Sequence, residues 1–183
     1  MASDSDTAVE EVRELLRMDL ADLERRYRML HLVTGERPVG FLLTVGAIPK
    51  RLMLPVGTGV TRVGRGASIG YAKESGLLSG VVEGAQWEIA WKPEAATVRD
   101  LGSTNGSVLV REAGLGWKSL VLGELLKSAT ICRLGWDGVK NHTEAQALRH
   151  GDILVNVFGA LLYYCIPGCC PSVARPKDGA VVE

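Results

Sequence analysis

The sequence predicts an all-β fold, a β-sandwich of about ten to eleven short strands preceded by one N-terminal amphipathic α-helix. Three observations predict it. Short apolar runs recur from Val39 to Ile166, each bounded by Gly, Pro, Asn or Asp. Glycine is abundant, at 22 residues against two Phe, and it falls between those runs rather than inside a helical pattern. After the first helix nothing alternates strand with helix, and nothing repeats, so neither a parallel α/β sheet nor a solenoid fits.

The helix is expected over residues 7–32. Val9, Val12, Leu16, Leu20, Leu23, Tyr27 and Leu30 recur at steps of three and four and form one apolar stripe. Thr7 to Glu10 has the spacing of a capping box, and Asp22 with Arg26 has that of an i,i+4 ion pair. The stripe is near heptad spacing, so it suits either docking on the domain that follows or self-association as a short coiled coil. Docking is the simpler expectation, because three heptads is close to the minimum for a coiled coil. Gly35 and Pro38 end the helix.

Strands are then expected at 39–45, 51–56 and 60–63, with turns at Gly46–Lys50 and Gly57–Gly59. Residues 64–80 read as a glycine-rich loop. Residues 81–91 are extended, with Trp87, Ile89 and Trp91 on one face and Gln86, Glu88 and Ala90 on the other. Further strands are expected at 97–101, 107–110, 120–122 and 130–134. Residues 135–149 are polar and read as an inserted loop. A closing hairpin follows, 153–158 and 160–166, turned near Gly159. Residues 167–183 hold three Pro and two Gly and predict a disordered tail.

Composition narrows the function classes. The chain has 183 residues, enough for one domain with an appendage. With 46% hydrophobic residues it can bury a core. Its 21 basic and 21 acidic residues cancel, so it lacks the basic excess that a general nucleic-acid or membrane-surface binder needs. The longest apolar stretch, Ile153 to Ile166, is too short to span a bilayer, and the acidic start does not resemble a signal peptide. Four cysteines are too few for a disulfide framework at this length. A soluble, intracellular, reduced protein is expected.

Three segments carry the functional expectation. Thr61-Arg-Val-Gly64-Arg65-Gly66 is a strand running into Gly-Arg-Gly. Asp100-Leu-Gly102-Ser103-Thr104-Asn105-Gly106, preceded and followed by strands, is a tight hairpin turn. Leu148-Arg-His-Gly151-Asp152 is a turn before the last hairpin. A phosphate site needs fixed donors converging at one end of a rigid scaffold. Arg65 offers a planar fork, Ser103 and Thr104 offer hydroxyls, and Asn105 offers an amide that both donates and accepts. Taken singly, each has a plainer explanation. Asn-Gly is a common hairpin turn, Asp100 and Ser103 suit turn capping, and a lone Arg is usually a solvated cation.

In order and separation these segments resemble the forkhead-associated (FHA) domain, a β-sandwich that reads phosphothreonine. The resemblance covers about Gly40 to Ile166, and the Asp-Leu-Gly-Ser-Thr-Asn-Gly turn is its most specific part. It divides the chain into a helical extension (1–34), an FHA-like sandwich (35–168) and a flexible tail (169–183). It implies a protein–protein interaction module for phosphothreonine peptides, with Arg65 on the phosphate, Thr104 supporting it and Asn105 on the peptide backbone, while Ser103 stays a candidate donor by its hydroxyl alone. It also implies a nuclear or cytoplasmic setting in signalling, cell-cycle control or DNA-damage response. The expected partner is a phosphorylated protein, or another protein, with neither nucleic acid nor membrane, and self-association through 7–32 is a further possibility.

The chain departs from the family in one segment. FHA domains carry a Ser that contacts phosphate and, three residues on, a His that braces the loop. A gapped alignment puts Ser79 and Val82 at those positions. An alignment ungapped to Asp100 puts Glu83 and Gln86 there. Ser79 would donate to phosphate, whereas Glu83 would oppose it and pair with Arg65. Ser79 is the expectation taken forward. The alternative is a degenerate FHA domain, a phosphate-independent scaffold associating through its helix. A third reading makes the chain the targeting part of a longer protein, with 171–183 as a linker.

No other chemistry assembles. Cys165, Cys169 and Cys170 match no zinc spacing. Cys165 reads as a small core residue, and Cys169 and Cys170 as exposed thiols. His142 and His150 read as surface residues, and Gly64-Arg65-Gly66 lacks the pattern of a nucleotide loop. The four Trp read as core or hairpin-packing residues. Neither enzyme activity, nor a metal, nor a cofactor is expected.

Overall fold

Two faces of one sheet are buried in this protein, and that decides its layering. The computed structural model describes residues 4–28, 37–46, 51–64, 69–70, 85–111, 131–156 and 159–171. Two helices come first, α1 (Asp4–Arg17) and α2 (Leu20–Tyr27). Six strands follow: β1 (Gly40–Val45), β2 (Met53–Val56), β3 (Gly59–Gly64), β4 (Ile69–Gly70), β5 (Trp87–Lys92) and β6 (Ala95–Asp100). The remainder are β7 (Ser107–Val110), β8 (Ile131–Trp136), β9 (Asn141–His142), β10 (Gln146–Ala147), β11 (Ile153–Asn156) and β12 (Gly159–Cys165). They form a seven-stranded sheet, ordered β2-β1-β12-β11-β7-β8-β9, and a five-stranded sheet, ordered β10-β6-β5-β3-β4. All pairings are antiparallel except the short β3–β4 contact. This is the expected all-β sandwich.

The core between the sheets gathers Leu42, Val63, Trp87, Ile89, Val98, Leu109, Leu134, Leu154, Leu161 and Tyr163. A second core lies on the far side of the seven-stranded sheet. There Val9, Val12, Leu15, Leu23 and Tyr27 of the helices pack on Phe41, Leu43, Val108, Val110, Ile153 and Leu162. Strands covered on both faces are dry at every position and mostly apolar, and β1 and β7 are buried throughout, with Thr44 and Ser107 as their polar members. The outer face of the five-stranded sheet is wet, and there Glu88 bridges Arg62 and Arg99 across three strands.

Several expectations need correction. The helix 7–32 is two helices broken at Met18–Asp19. Asp19 adopts an extended backbone and its carboxylate accepts the Asp22 N–H, so a cap interrupts the stripe. Thr7 lies inside α1 rather than at its start. Asp22 pairs with Arg25, and Arg26 pairs with Glu14 across the break. The bend lets both short helices follow the sheet, where Leu15 and Leu23 are fully buried. Docking, not an open coiled-coil face, is therefore the fate of the stripe. Glu11 fixes it further by accepting from Arg51 and from the Gly46 N–H at 3.1 Å.

Residues 135–149 are not a plain loop. β8 runs on to Trp136 and pairs with β9, and β10 crosses to the other sheet to pair with β6. The tail starts later than expected, because residues 167–170 form a turn and Cys169 packs partly buried against the core. The expected strand 120–122, residues 29–36, and residues 172–183 lie outside the described residues, as do 81–84 of the extended segment. Among the described residues no helix is long and apolar enough to cross a membrane.

Candidate functional site

Strand register decides which segments share an end of the sandwich. Val63, Trp87 and Asp100 lie in one row across β3, β5 and β6. Just beyond that row, the Gln86 N–H donates to the Val63 carbonyl and the Leu101 N–H to the Gln86 carbonyl, both at 2.8 Å. Gly64, after which the chain continues into Arg65, therefore leaves its strand at the same end as the 101–106 turn. The β11–β12 hairpin reaches this end too, since Asn156 donates its amide to the Gln86 side-chain oxygen at 3.1 Å. Arg65, Ser79, Val82 and Glu83 themselves lie outside the described residues.

The turn is held from behind by Asp100. Its Oδ1 accepts the backbone N–H groups of Gly102 and Ser103 at 2.9 and 2.6 Å. Its Oδ2 accepts the Ser103 hydroxyl at 2.7 Å and also the Ser107 hydroxyl. Ser107 in turn accepts the Trp87 indole N–H at 2.8 Å and is approached by the Gln86 amide at 3.4 Å. Asp100, Ser103, Ser107 and Gln86 are all buried. A buried carboxylate is tolerated because four donors satisfy it.

Ser103 was expected at the rim beside Thr104. The structure instead turns its hydroxyl inward to Asp100, with 2% of the residue exposed. Thr104 and Asn105 are exposed. Gly102 and Gly106 have φ of +88° and +63°, the left-handed conformations that aim these two side chains outward. At Gly106 space also demands glycine, because a Cβ there would lie 2.0 Å from the Trp136 carbonyl oxygen. The turn is thus seated directly on the end of β8.

Two further parts complete this end, one legible only in the ungapped alignment and one that sequence reasoning missed. Gln86 is the first, a bracing residue: its side chain links Ser107 at the start of β7 to Asn156 at the end of β11. The β8–β9 hairpin is the second. Asp137 accepts from the Val139 and Lys140 N–H groups at 2.8 and 2.7 Å and contacts His142 Nε2 at 2.7 Å. These bonds hold its carboxyl well below the usual carboxylate range. The Asp-Gly spacing of Asp137-Gly138 was the available signal.

The third sequence segment stands at the opposite end. Asp152 is 1% exposed and receives a two-pronged contact from Arg111, Nε to Oδ1 at 2.9 Å and Nη2 to Oδ2 at 2.7 Å. The Arg149 N–H adds a third bond at 2.8 Å. This segment closes the far end of the sandwich and takes no part in the candidate site. Nearby, His150 Nδ1 accepts the Cys165 N–H at 3.0 Å, and burial lowers the pKa of the ring. Cys165 is buried as expected, and burial pushes its thiol up to about 12. Cys170 is exposed, but its sulfur rests 3.6 Å from the Ile166 carbonyl. The expectation of an exposed Cys169 is corrected by its packing on the core.

No family model matches the chain, and no curated protein matches its sequence. Among solved structures the chain is similar to one from a structural and functional analysis of phosphothreonine-dependent FHA domain interactions. That match has 17% identity and a TM-score of 0.41, over 70% of this chain and 98% of the other. It is similar to the FHA domain of human APLF in complex with an XRCC1 bisphospho peptide, at 14% identity and a TM-score of 0.41, over 69% of this chain and 99% of the other. A third similarity is to Mycobacterium tuberculosis EmbR in complex with a low-affinity phosphopeptide, at 17% identity and a TM-score of 0.43, over 80% of this chain but 28% of EmbR.

Proposed function

We propose that this chain is an FHA-type interaction module that binds a phosphothreonine peptide across the loops at one end of its sandwich. One observation carries the reading. The 101–106 turn is braced by Asp100 so that Thr104 and Asn105 face solvent, at the end where the chain leaves β3 toward Arg65. A rigid turn that holds two polar side chains outward at a loop-bearing end of a scaffold suits recognition of a ligand's main chain and charged group. In this reading Arg65 and Ser79 take the phosphate, Thr104 supports it, and Asn105 fixes the peptide backbone. Ser103 serves by positioning the turn. The setting is nuclear or cytoplasmic signalling.

Titration of matched phosphorylated and unphosphorylated Thr peptide libraries tests it. Tight binding of the phosphorylated library alone is expected, lost in Arg65→Ala and in Asn105→Ala. Equal weak binding of both libraries removes the reading.

A second reading, a phosphate-independent scaffold, is favoured by Gln86. Its side chain occupies a bracing position, the role that the ungapped alignment gives it, and that alignment sets Glu83 opposite Arg65. A carboxylate there repels a phosphate dianion. Glu83→Ser separates the two. A rise in phosphopeptide affinity of about tenfold or more favours the scaffold reading. No change, with loss in Ser79→Ala, favours the reader.

A further inference from the structure

Two cysteine sulfurs meet at one carbonyl where the last strand ends. Cys165 closes β12, and the chain then turns through residues 167–170, with the Cys169 N–H donating to the Ile166 carbonyl at 2.9 Å. The same carbonyl oxygen lies 3.9 Å from the Cys165 sulfur and 3.6 Å from the Cys170 sulfur. The Cys170 sulfur is also 3.7 Å from the Cys165 carbonyl, so the turn folds it back over Cys165. Both thiols are free, Cys165 buried and Cys170 exposed. The Tyr163 hydroxyl, also buried, has no hydrogen-bond partner. Burial first, then the sulfurs of Cys165, Cys170 and Cys169, holds that phenol well above its ordinary range. The Cys165 thiol is raised too, by burial and then by the Cys170 sulfur beside it.

The pair suits thiol–disulfide chemistry. Among the described residues no three His, Cys, Asp or Glu are grouped to hold a metal ion. Two sulfurs that share one oxygen within a turn need only side-chain rotation to approach bonding distance. We infer that Cys165 and Cys170 form a reversible disulfide, made by hydrogen peroxide, that staples the 167–170 turn to the end of β12. The accessible Cys170 thiolate attacks one peroxide oxygen. The O–O bond breaks, hydroxide leaves and takes up the proton that the thiol had lost, and Cys170 becomes a sulfenic acid. The Cys165 sulfur then attacks the Cys170 sulfur, the S–O bond breaks, and the hydroxyl leaves as water with the Cys165 proton. Two thiols are oxidised to one disulfide, and the peroxide is reduced to water. The Tyr163 O–H is placed to donate to the Cys165 sulfur as that proton departs. The pair stands at the other end of β12 from the candidate peptide site, since Gly159 pairs with Asn156 beside Gln86, and Cys165 pairs with Gly40. The disulfide therefore forms whether or not that site binds phosphate.

The test treats the full chain, without peptide, with a small excess of hydrogen peroxide at mildly alkaline pH and quenches with iodoacetamide. Loss of two of the four thiols is expected, with a mass lower by two hydrogens and a Cys165–Cys170 link in the peptide map. Dithiothreitol should reverse all three. Closing so short a loop should raise the thermal midpoint of the oxidised chain by about 4–8 °C. Cys170→Ser, at an exposed position, should keep its remaining thiols, whereas Cys169→Ser should oxidise as the wild type does. A link mapped to Cys132 or Cys169 overturns the pairing. So does a disulfide between two chains, or sulfinic acid on Cys170 with Cys165 still free. A Cys165–Cys170 link that leaves the midpoint unchanged or lowers it overturns the staple.

Discussion

Trp87 on the five-stranded sheet donates its indole N–H to the hydroxyl of Ser107 on the seven-stranded sheet, at 2.8 Å. Ser107 donates its own O–H to Asp100, and Asp100 holds the exposed turn. The base of the candidate site is thus also a polar tie between the two halves of the sandwich. Partial loss of such a buried network costs more than its absence, because each orphaned group stays dry.

Ser107→Ala should lower stability by about 1–3 kcal/mol, since it strands the Trp87 N–H. Asp100→Ala should cost on the order of 3 kcal/mol or more, because it frees four donors at once. Urea unfolding measures both. Similar midpoints for the two variants and wild type would show that water replaces the network freely.

Gly102 and Gly106 both have positive φ, yet they should respond differently. A Cβ on Gly102 meets open space, so Gly102→Ala should cost about 1–2 kcal/mol of backbone strain alone. At Gly106 the Trp136 backbone is in the way, so Gly106→Ala should cost clearly more and should displace Thr104 and Asn105. Thermal melts rank the pair, and peptide titration reads the displacement.

At the far end, Arg111→Ala leaves the Asp152 carboxylate buried without its fork and should destabilise by about 3–5 kcal/mol. Arg111→Met with Asp152→Asn should recover part of that loss, because it removes the charge along with its partner. A double variant no better than Arg111→Ala would show that the geometry of the fork, not the charge, is what matters.

The His150 ring must be neutral to accept the Cys165 N–H at Nδ1, so its proton sits on Nε2. Its folded pKa is lowered by burial below the ordinary value of 6.5. Below that pH the unfolded chain takes up a proton that the folded chain resists. Stability from this group is therefore present above about 6.5 and lost as pH falls. Thermal midpoints from pH 7.5 to 5 should decline in wild type and decline less in His150→Gln.

Cys165 gives the opposite slope. Its folded pKa of about 12 exceeds the ordinary 9.0, so the unfolded chain loses a proton first and stability falls as pH rises between those values. In the native state at pH 8, iodoacetamide should label Cys170 well before Cys165, which is buried. Equal labelling rates would mean that β12 opens locally.

Much of the fold is local information. The strands follow from period-two alternation and glycine breaks, and the 101–106 turn from the Asp-Leu-Gly-Ser-Thr-Asn-Gly order, whose side chains satisfy backbone groups two or three residues away. The helical stripe was equally legible. Its break was harder to see, because Asp19 satisfies a cap and a helix surface alike until the sheet beneath favours a bend.

What the chain's order of residues determined by itself is the all-β pattern, the outward Thr104 and Asn105, and the amphipathic start. Only the tertiary structure decided that Ser103 faces inward, that Arg111 meets Asp152 over a separation of 41 residues, and that Gln86 meets Asn156 over 70. The same holds for the Trp136 hairpin seated behind Gly106. Such contacts leave no periodic trace along the chain. They exist because strand register brings distant polar groups into dry surroundings, where each must find whichever partner the sheets set beside it.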